Sequence, residues 1–122
     1  MKLNILIVDD EEIITEILGD EMEELDGVTA FTASNGKEAM EVLSKEEIQI
    51  VLTDFKMPIM NGAELIKEIY SKFNQSQIKT FMMTAYSPDD LKDLLEEFHV
   101  EVIRKPFSFE DIKNIVFKGY LE

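Results

Sequence analysis

The chain of 122 residues contains no cysteine, no tryptophan and a single histidine, His99. Without cysteine there can be no disulfide framework, thiolate zinc site or cysteine nucleophile, and the lack suits a reducing compartment. One histidine offers no cluster for a transition metal; His99, ahead of the last apolar run, reads as a surface or packing residue. Basic side chains are scarce, 12 against 26 acidic ones, leaving a net charge of −14. So acidic a surface is repelled by nucleic-acid phosphates and anionic lipids, which argues against nucleic acid and membrane as direct partners. No apolar run approaches the ~18–20 residues needed to cross a bilayer. The apolar start of the chain meets Asp9-Asp10-Glu11-Glu12 too early for a signal peptide. Repeats, low-complexity tracts and linker-like shifts in composition are also missing. What is present is 45% apolar residues in a chain of single-domain length, roughly 100–200 residues. Residues 1–122 therefore read as one acidic, soluble, cytoplasmic domain with one sizeable core.

Apolar runs of strand length alternate with amphipathic stretches. The runs are Leu3–Val8, Val28–Ala33, Ile48–Thr53, Ile78–Thr84 and Val100–Ile103. The first and third are nearly continuous in Val, Ile and Leu, as strands buried on both faces are. Between them, Ile13, Ile14, Ile17, Leu18, Met22 and Leu25 recur at helical spacing. Asn35 predicts a helix cap with Glu38 as its capping-box partner and Ala39, Met40 and Leu43 inward. Asn61-Gly62 opens a segment with Leu65, Ile66, Ile69 and Tyr70 inward. Ser87-Pro88 opens another with Leu91, Leu94, Leu95 and Phe98 inward, and Ser108 caps the last, with Asp111 in the box position and Ile112, Ile115 and Val116 inward. Strict alternation with right-handed crossovers predicts an α/β, doubly wound, five-stranded parallel sheet, (βα)5, of strand order 2-1-3-4-5, the flavodoxin-like arrangement. That fold places function at the carboxyl ends of the strands.

Those ends carry Asp9-Asp10, Thr53-Asp54, Thr84-Ala85 and Arg104-Lys105-Pro106. Topology thus brings three aspartates, a hydroxyl and a lysine to one crevice. Singly, each has an ordinary structural role: Asp9 or Asp10 as a helix cap, Asp54 as a turn former, Lys105-Pro106 as a loop. Their coincidence at four strand ends points to chemistry. Three crowded carboxylates repel one another and need a compensating charge, which a hard divalent cation such as Mg²⁺ supplies through oxygen ligands, leaving positions for water and a phosphate. Lys105 is suited to one phosphoryl oxygen and the Thr84 hydroxyl to another. Asp54, alone at its strand end, is the candidate nucleophile, forming an acyl phosphate.

Four segments, Ile5-Leu6-Ile7-Val8-Asp9-Asp10-Glu11, Asp54-Phe55-Lys56-Met57-Pro58-Ile59-Met60-Asn61-Gly62, Met83-Thr84-Ala85 and Lys105-Pro106-Phe107, together resemble the response-regulator receiver domain over essentially the whole length. The resemblance implies Mg²⁺ held by Asp9, Asp10, Asp54 and the backbone carbonyl of Lys56. It implies that Asp54 accepts a phosphoryl group from a phosphohistidine on a sensor histidine kinase or histidine phosphotransfer protein, switching the interactions with a downstream protein target. Thr84 and Lys105 would bind phosphoryl oxygens, Ala85 would be small enough to leave the phosphoryl group accessible, and the Lys105–Pro106 peptide would be cis. Beyond its own phosphorylation and slow dephosphorylation the chain would not be an enzyme.

The sequence departs from the family at Val102, where an aromatic residue usually couples to the threonine; a valine has no ring to rotate. Lys56 and Tyr86 would flank the path of the water attacking the acyl phosphate. Lys56-Met57-Pro58 and Thr84-Ala85-Tyr86 most resemble single-domain receivers of sporulation-type phosphorelays. Adjacent positions of a helix cannot both point inward equally, so one of Ile13 and Ile14 lies toward the cleft rim, with Met57, Pro106 and Phe107 on the same rim. The resemblance implies that the donor docks on this rim, with packing the alternative reading for Met57 and Phe107. Three alternatives remain distinct: a phosphorylation-independent binding module of receiver shape, a Mg²⁺-dependent aspartyl phosphatase, and a flavin-binding electron carrier. A phosphatase of that type carries a second acid where Lys56 stands. A flavin carrier needs a phosphate-cradling first loop, which Asp9-Asp10-Glu11-Glu12 opposes.

Overall fold

All five apolar runs form strands. The structure, a computed structural model describing residues 2–73, 77–85 and 90–118 and only the backbone of Asp90, Asp93 and Leu94, runs β1 (Leu3–Val8), α1 (Glu12–Glu23), β2 (Val28–Ala33), α2 (Gly36–Lys45), β3 (Ile50–Asp54), α3 (Gly62–Lys72), β4 (Lys79–Thr84), α4 (Asp90–Glu97), β5 (Val100–Arg104) and α5 (Phe109–Val116). The sheet is parallel with order β2-β1-β3-β4-β5, as expected. Val8 lies opposite Thr53, Asp54 opposite Met83 and Thr84 opposite Arg104. This register brings the carboxyl ends of β1, β3, β4 and β5 out along one edge of the sheet. No helix among the described residues is long and apolar enough to cross a membrane.

Successive strand residues face opposite sides, and helices cover both. Ile5, Ile7, Ile50, Leu52, Phe81 and Met83 meet Leu18 and Met22 of α1 and Ile112 and Val116 of α5. Leu6, Val8 and Val51 meet Ala39 and Leu43 of α2 and Leu65 and Ile69 of α3. A smaller group joins Met82 and Ile66 to Leu91 of α4. Burial on both faces is why β1 and β3 read as unbroken apolar runs. β3 begins at Ile50 rather than Ile48; just before it the Asn4 N–H donates to the Gln49 side chain (2.7 Å) and the Gln49 N–H to the Asn4 carbonyl (3.0 Å).

The capping box expected at Ser108/Asp111 is formed, and a further one closes at Asn61/Glu64. At α2 the structure corrects the sequence reading. Asn35 does accept from the Glu38 N–H (2.9 Å), but the Glu38 carboxylate takes the Ser34 N–H (3.1 Å) and hydroxyl (2.8 Å) instead of closing a box. Those two hydrogen bonds hold the Glu38 carboxyl below its ordinary range.

α1 also differs. Its buried stripe is Thr15, Leu18, Gly19 and Met22, with Ile14 half-buried against the core. Ile13 and Ile17 are exposed, at 68% and 54%. Positions 15, 18, 19 and 22 follow i, i+3, i+4, i+7, which turns 13 and 17 outward. On α4, Leu91 is buried but Leu95 is exposed; the place beside the sheet is taken by Phe98, whose ring packs tilted at 37° against Tyr70 with centroids 4.9 Å apart. The expected Ser87-Pro88 cap and the Leu94 side chain lie outside the described residues. Tyr70 and Ile115, both expected inward, are half-buried.

One glycine is required by space. A Cβ on Gly62 would run into the Asp54 carbonyl oxygen and lie 3.1 Å from Phe55 Cα, both backbone, while the Gly62 N–H donates to the Phe55 carbonyl (2.8 Å). Gly62→Ala is accordingly expected to lower stability by about 1–3 kcal/mol, the usual range for overpacking. Urea denaturation measures this; an unchanged midpoint would show that α3 can retreat from the end of β3 without loss.

Candidate functional site

The expected strand-end residues converge. Asp9 (1% exposed) and Asp54 (7%) are buried and Asp10 is exposed. One carboxylate oxygen from each lies within 4.8 Å of the others. β1 delivers Asp9, whose N–H donates to the Ala33 carbonyl (3.2 Å), and the turn into α1 fixes the side chain through the Glu11 N–H on Oδ1 (2.9 Å). β3 delivers Asp54, braced by the Thr53 hydroxyl on its carbonyl (2.9 Å) and by the Phe55 N–H on the Met83 carbonyl (3.1 Å). Thr84 is buried at the end of β4, and its carbonyl accepts the Lys105 N–H (2.7 Å). The Lys105–Pro106 peptide is cis, as the resemblance implied. Lys105 Nζ reaches 3.1 Å from Asp54 Oδ1, an ion pair at the bottom of the cleft. Asp10, Glu11, Asp54, Lys56, Thr84, Ala85 and Lys105 line a space of about 290 Å³, with Phe55.

Electrostatics mark Asp9 as strained. The Asp9 carboxyl is pushed up to about 6, chiefly by burial; Asp54 and Asp10 add to the rise, while the Glu11 N–H and Lys105 oppose it. Asp9 Oδ2 is buried with no hydrogen-bond partner, although a buried carboxylate oxygen ordinarily has one. An unpartnered oxygen beside two further carboxylates is the donor set a hard, oxygen-seeking divalent cation needs. The resemblance implies Mg²⁺ at this acidic pocket, and the residues present fit it.

The remaining candidates separate. Ala85 is exposed at the cleft mouth, Lys56 is exposed beside it, and Val102 is half-buried in β5 opposite Met82. Tyr86 lies outside the described residues. His99 is exposed, with its carbonyl accepting the Tyr70 hydroxyl (3.1 Å), at the end of the sheet away from the cleft. Met57, expected on the rim, is packed in the core with Leu6, Val8 and Leu65. The short loop after Asp54 turns it inward, so it offers no docking surface. Ile13 stands out from α1, while Ile14, Pro106 and Phe107 border a groove of about 410 Å³ between α1 and the β5–α5 connection. Ile17 and Phe109 line it too and were missed; the i, i+4 spacing of Ile13 and Ile17, off the Leu18–Met22 stripe, was the signal for the former.

The response regulator receiver domain family matches residues 5–117. The chain is 36% identical over 122 residues to sporulation initiation phosphotransferase F of Bacillus subtilis, covering 99% of this chain and 95% of that protein. It is 31% identical over 113 residues to the transcriptional regulatory protein CrdR of Helicobacter pylori, covering 93% of this chain but only 53% of that longer relative. A response regulator receiver protein from Pseudomonas putida has the same fold, with a TM-score of 0.85 at 21% identity over 97% of this chain and 98% of that one. With the strand-end constellation in place and the match running from β1 to α5, the chain belongs to the response regulator receiver domain family, whose general function is to accept a phosphoryl group on an aspartate in two-component and phosphorelay signalling.

Proposed function

We propose that Asp54 is the phosphoryl acceptor, taking the group from a phosphohistidine of a sensor kinase or histidine phosphotransfer protein in the cytoplasm. The observation that carries this is the clustering of Asp9, Asp10 and Asp54, with an unpartnered oxygen on Asp9, directly beside Lys105. Asp9, Asp10, Asp54 and the Lys56 carbonyl would hold Mg²⁺, which when bound offsets the negative charge of the cleft and accepts a phosphoryl oxygen. An Asp54 carboxylate oxygen attacks phosphorus; a P–O bond forms as the donor's P–N bond breaks, and the imidazole nitrogen keeps the electron pair. Lys105 exchanges its hold on Asp54 for a phosphoryl oxygen, and the Thr84 hydroxyl donates to another. The acquired charge, roughly −1.5 to −2, then draws Thr84 and Ala85 toward the acceptor. With Val102 in β5 no ring follows that movement, so the response is carried at the end of β4. Lys56, exposed at the cleft, and Tyr86, as the resemblance implies, would set the lifetime of the acyl phosphate. The α1 rim with Ile13 and Ile14, together with Pro106 and Phe107, receives the donor. Residues 1–122 act as one receiver unit.

Incubation with acetyl phosphate and Mg²⁺ tests the reading: intact protein should gain one phosphoryl group by mass, and chelation should prevent it. No gain at any Mg²⁺ concentration would favour the phosphorylation-independent binding module. Lys105→Ala should retain Mg²⁺ uptake, since it removes a cation from beside the trio, yet lose the conformational response to beryllofluoride. Loss of Mg²⁺ uptake in that variant would contradict the role given to Lys105.

A further inference from the structure

The loop between Asp54 and α3 displays one residue in a costly way. Met57 is buried in the core that α2 and α3 form with β1, and Met60 is half-buried against it. Met60 is seated on Gly36, where a Cβ would come within 2.5 Å of its sulfur. Two anchors three residues apart force the chain to reverse between them. The reversal is a three-residue turn in which the Met60 N–H donates to the Pro58 carbonyl (2.8 Å) and Ile59 sits at the centre with φ 72°. This is the rare, strained form of the γ-turn, and a β-branched residue is ill suited to positive φ. Ile59 is also 94% exposed. The packing of Met57 and Met60 offsets the strain, but among the described residues nothing covers the aliphatic side chain that the turn holds out. Strain of this kind is kept where function uses it. The position fits such a use, because the loop leaves Asp54 and returns at Gly62 to press against the Asp54 carbonyl. Ile59 stands out from this loop three residues beyond Lys56, which lines the cleft with Asp54, so a protein donor has a surface to lay against it that a small phosphodonor lacks.

We infer that Ile59 is a specificity-determining residue for the protein phosphodonor, an apolar knob that buries itself against the surface beside the donor's phosphohistidine. The inference rests on Asp54 as the acceptor. The side chain takes no part in bond making. It raises the fraction of encounters in which the P–N bond to be broken is held over the Asp54 oxygen. Two substitutions separate its features. Ile59→Ala removes the knob and keeps a Cβ at positive φ, while Ile59→Gly removes both.

Transfer is measured from a phosphorylated histidine phosphotransfer domain and, in parallel, from acetyl phosphate. Both variants should lose about tenfold or more in kcat/KM with the protein donor, as expected for a buried isoleucine contact, and change by less than about twofold with acetyl phosphate. Ile59→Gly should melt about 2–5 °C above Ile59→Ala, the reverse of the usual order. Unchanged transfer from the protein donor overturns the inference, as does equal slowing with both donors, which would mean a deformed loop. A dimer of the unsubstituted chain that Ile59→Ala dissociates also overturns it, since a second copy would then cover the knob. If acetyl phosphate labels the unsubstituted chain but no phosphohistidine domain does, the inference fails and Asp54 stands. If neither labels it, the reading of Asp54 fails and takes this inference with it.

Discussion

Asp54→Asn is expected to reduce phosphoryl uptake from acetyl phosphate by about 10⁴-fold or more, the scale on which loss of a nucleophile is felt. A carboxylate oxygen carries a full negative charge to phosphorus, whereas an amide oxygen is a poor nucleophile. The substitution is nearly isosteric, and the asparagine amide keeps an oxygen with which to accept from Lys105 Nζ, now 3.1 Å from Asp54 Oδ1. It also removes one of three mutually repelling charges. The variant should therefore melt no lower than the parent, so lost labelling reports chemistry rather than unfolding. Mass spectrometry after timed incubation measures the rate. Labelling that persists at the parental rate would place the acyl phosphate on another side chain, with Asp9 and Asp10 the nearest, and the proposed division between metal ligands and acceptor would be wrong.

The parts legible in the sequence are those governed by short-range rules. Strand order followed from alternation and handedness, and the meeting of Asp9, Asp10, Asp54, Thr84 and Lys105 followed from strand order, because a parallel sheet puts every strand's carboxyl end on one edge. Less legible was whatever depends on how far a helix is rotated about its own axis. Ile13, Ile14, Leu18 and Met22 form a helical pattern on their own, yet the stripe that packs includes Thr15 and Gly19, residues not counted as apolar. Thr15 can be buried because its hydroxyl is satisfied by the Glu12 carbonyl (2.9 Å). Met57 was misplaced for a related reason. Loop residues have no period, and only the packing of Met57 and Met60 into one core decides which way the chain turns. The same packing creates the positive φ at Ile59, which no local propensity would assign to an isoleucine.

The second large effect concerns Asp9 and has the opposite sign to most substitutions of buried residues. Asp9→Asn is expected to raise the stability of the metal-free protein by about 2 kcal/mol at neutral pH. Burial, with Asp54 and Asp10 adding to it, lifts the Asp9 carboxyl from 3.8 to about 6. Ionisation of Asp9 thus favours the unfolded chain, by roughly 3 kcal/mol once the pH is well above the raised value. An asparagine carries no charge to desolvate, and its oxygen can still accept the Glu11 N–H. The unpartnered Oδ2 would become an unpartnered amide, which takes back part of the gain. The pH dependence has a definite sign. Because the folded value is raised, the stabilising contribution is complete below 3.8 and is lost as pH climbs through about 6. Chelated parent protein should lose stability across that window in a way that Asp9→Asn does not. Mg²⁺ should reverse the ranking at pH 7–8, raising the melting temperature of the parent and doing little for the variant, since only a binder of the folded state stabilises it. A variant that melts lower than the parent without Mg²⁺, or that gains as much from Mg²⁺, would mean that the crowding of carboxylates is relieved by the protein itself. The case for a cation among Asp9, Asp10 and Asp54 would then lose its physical basis.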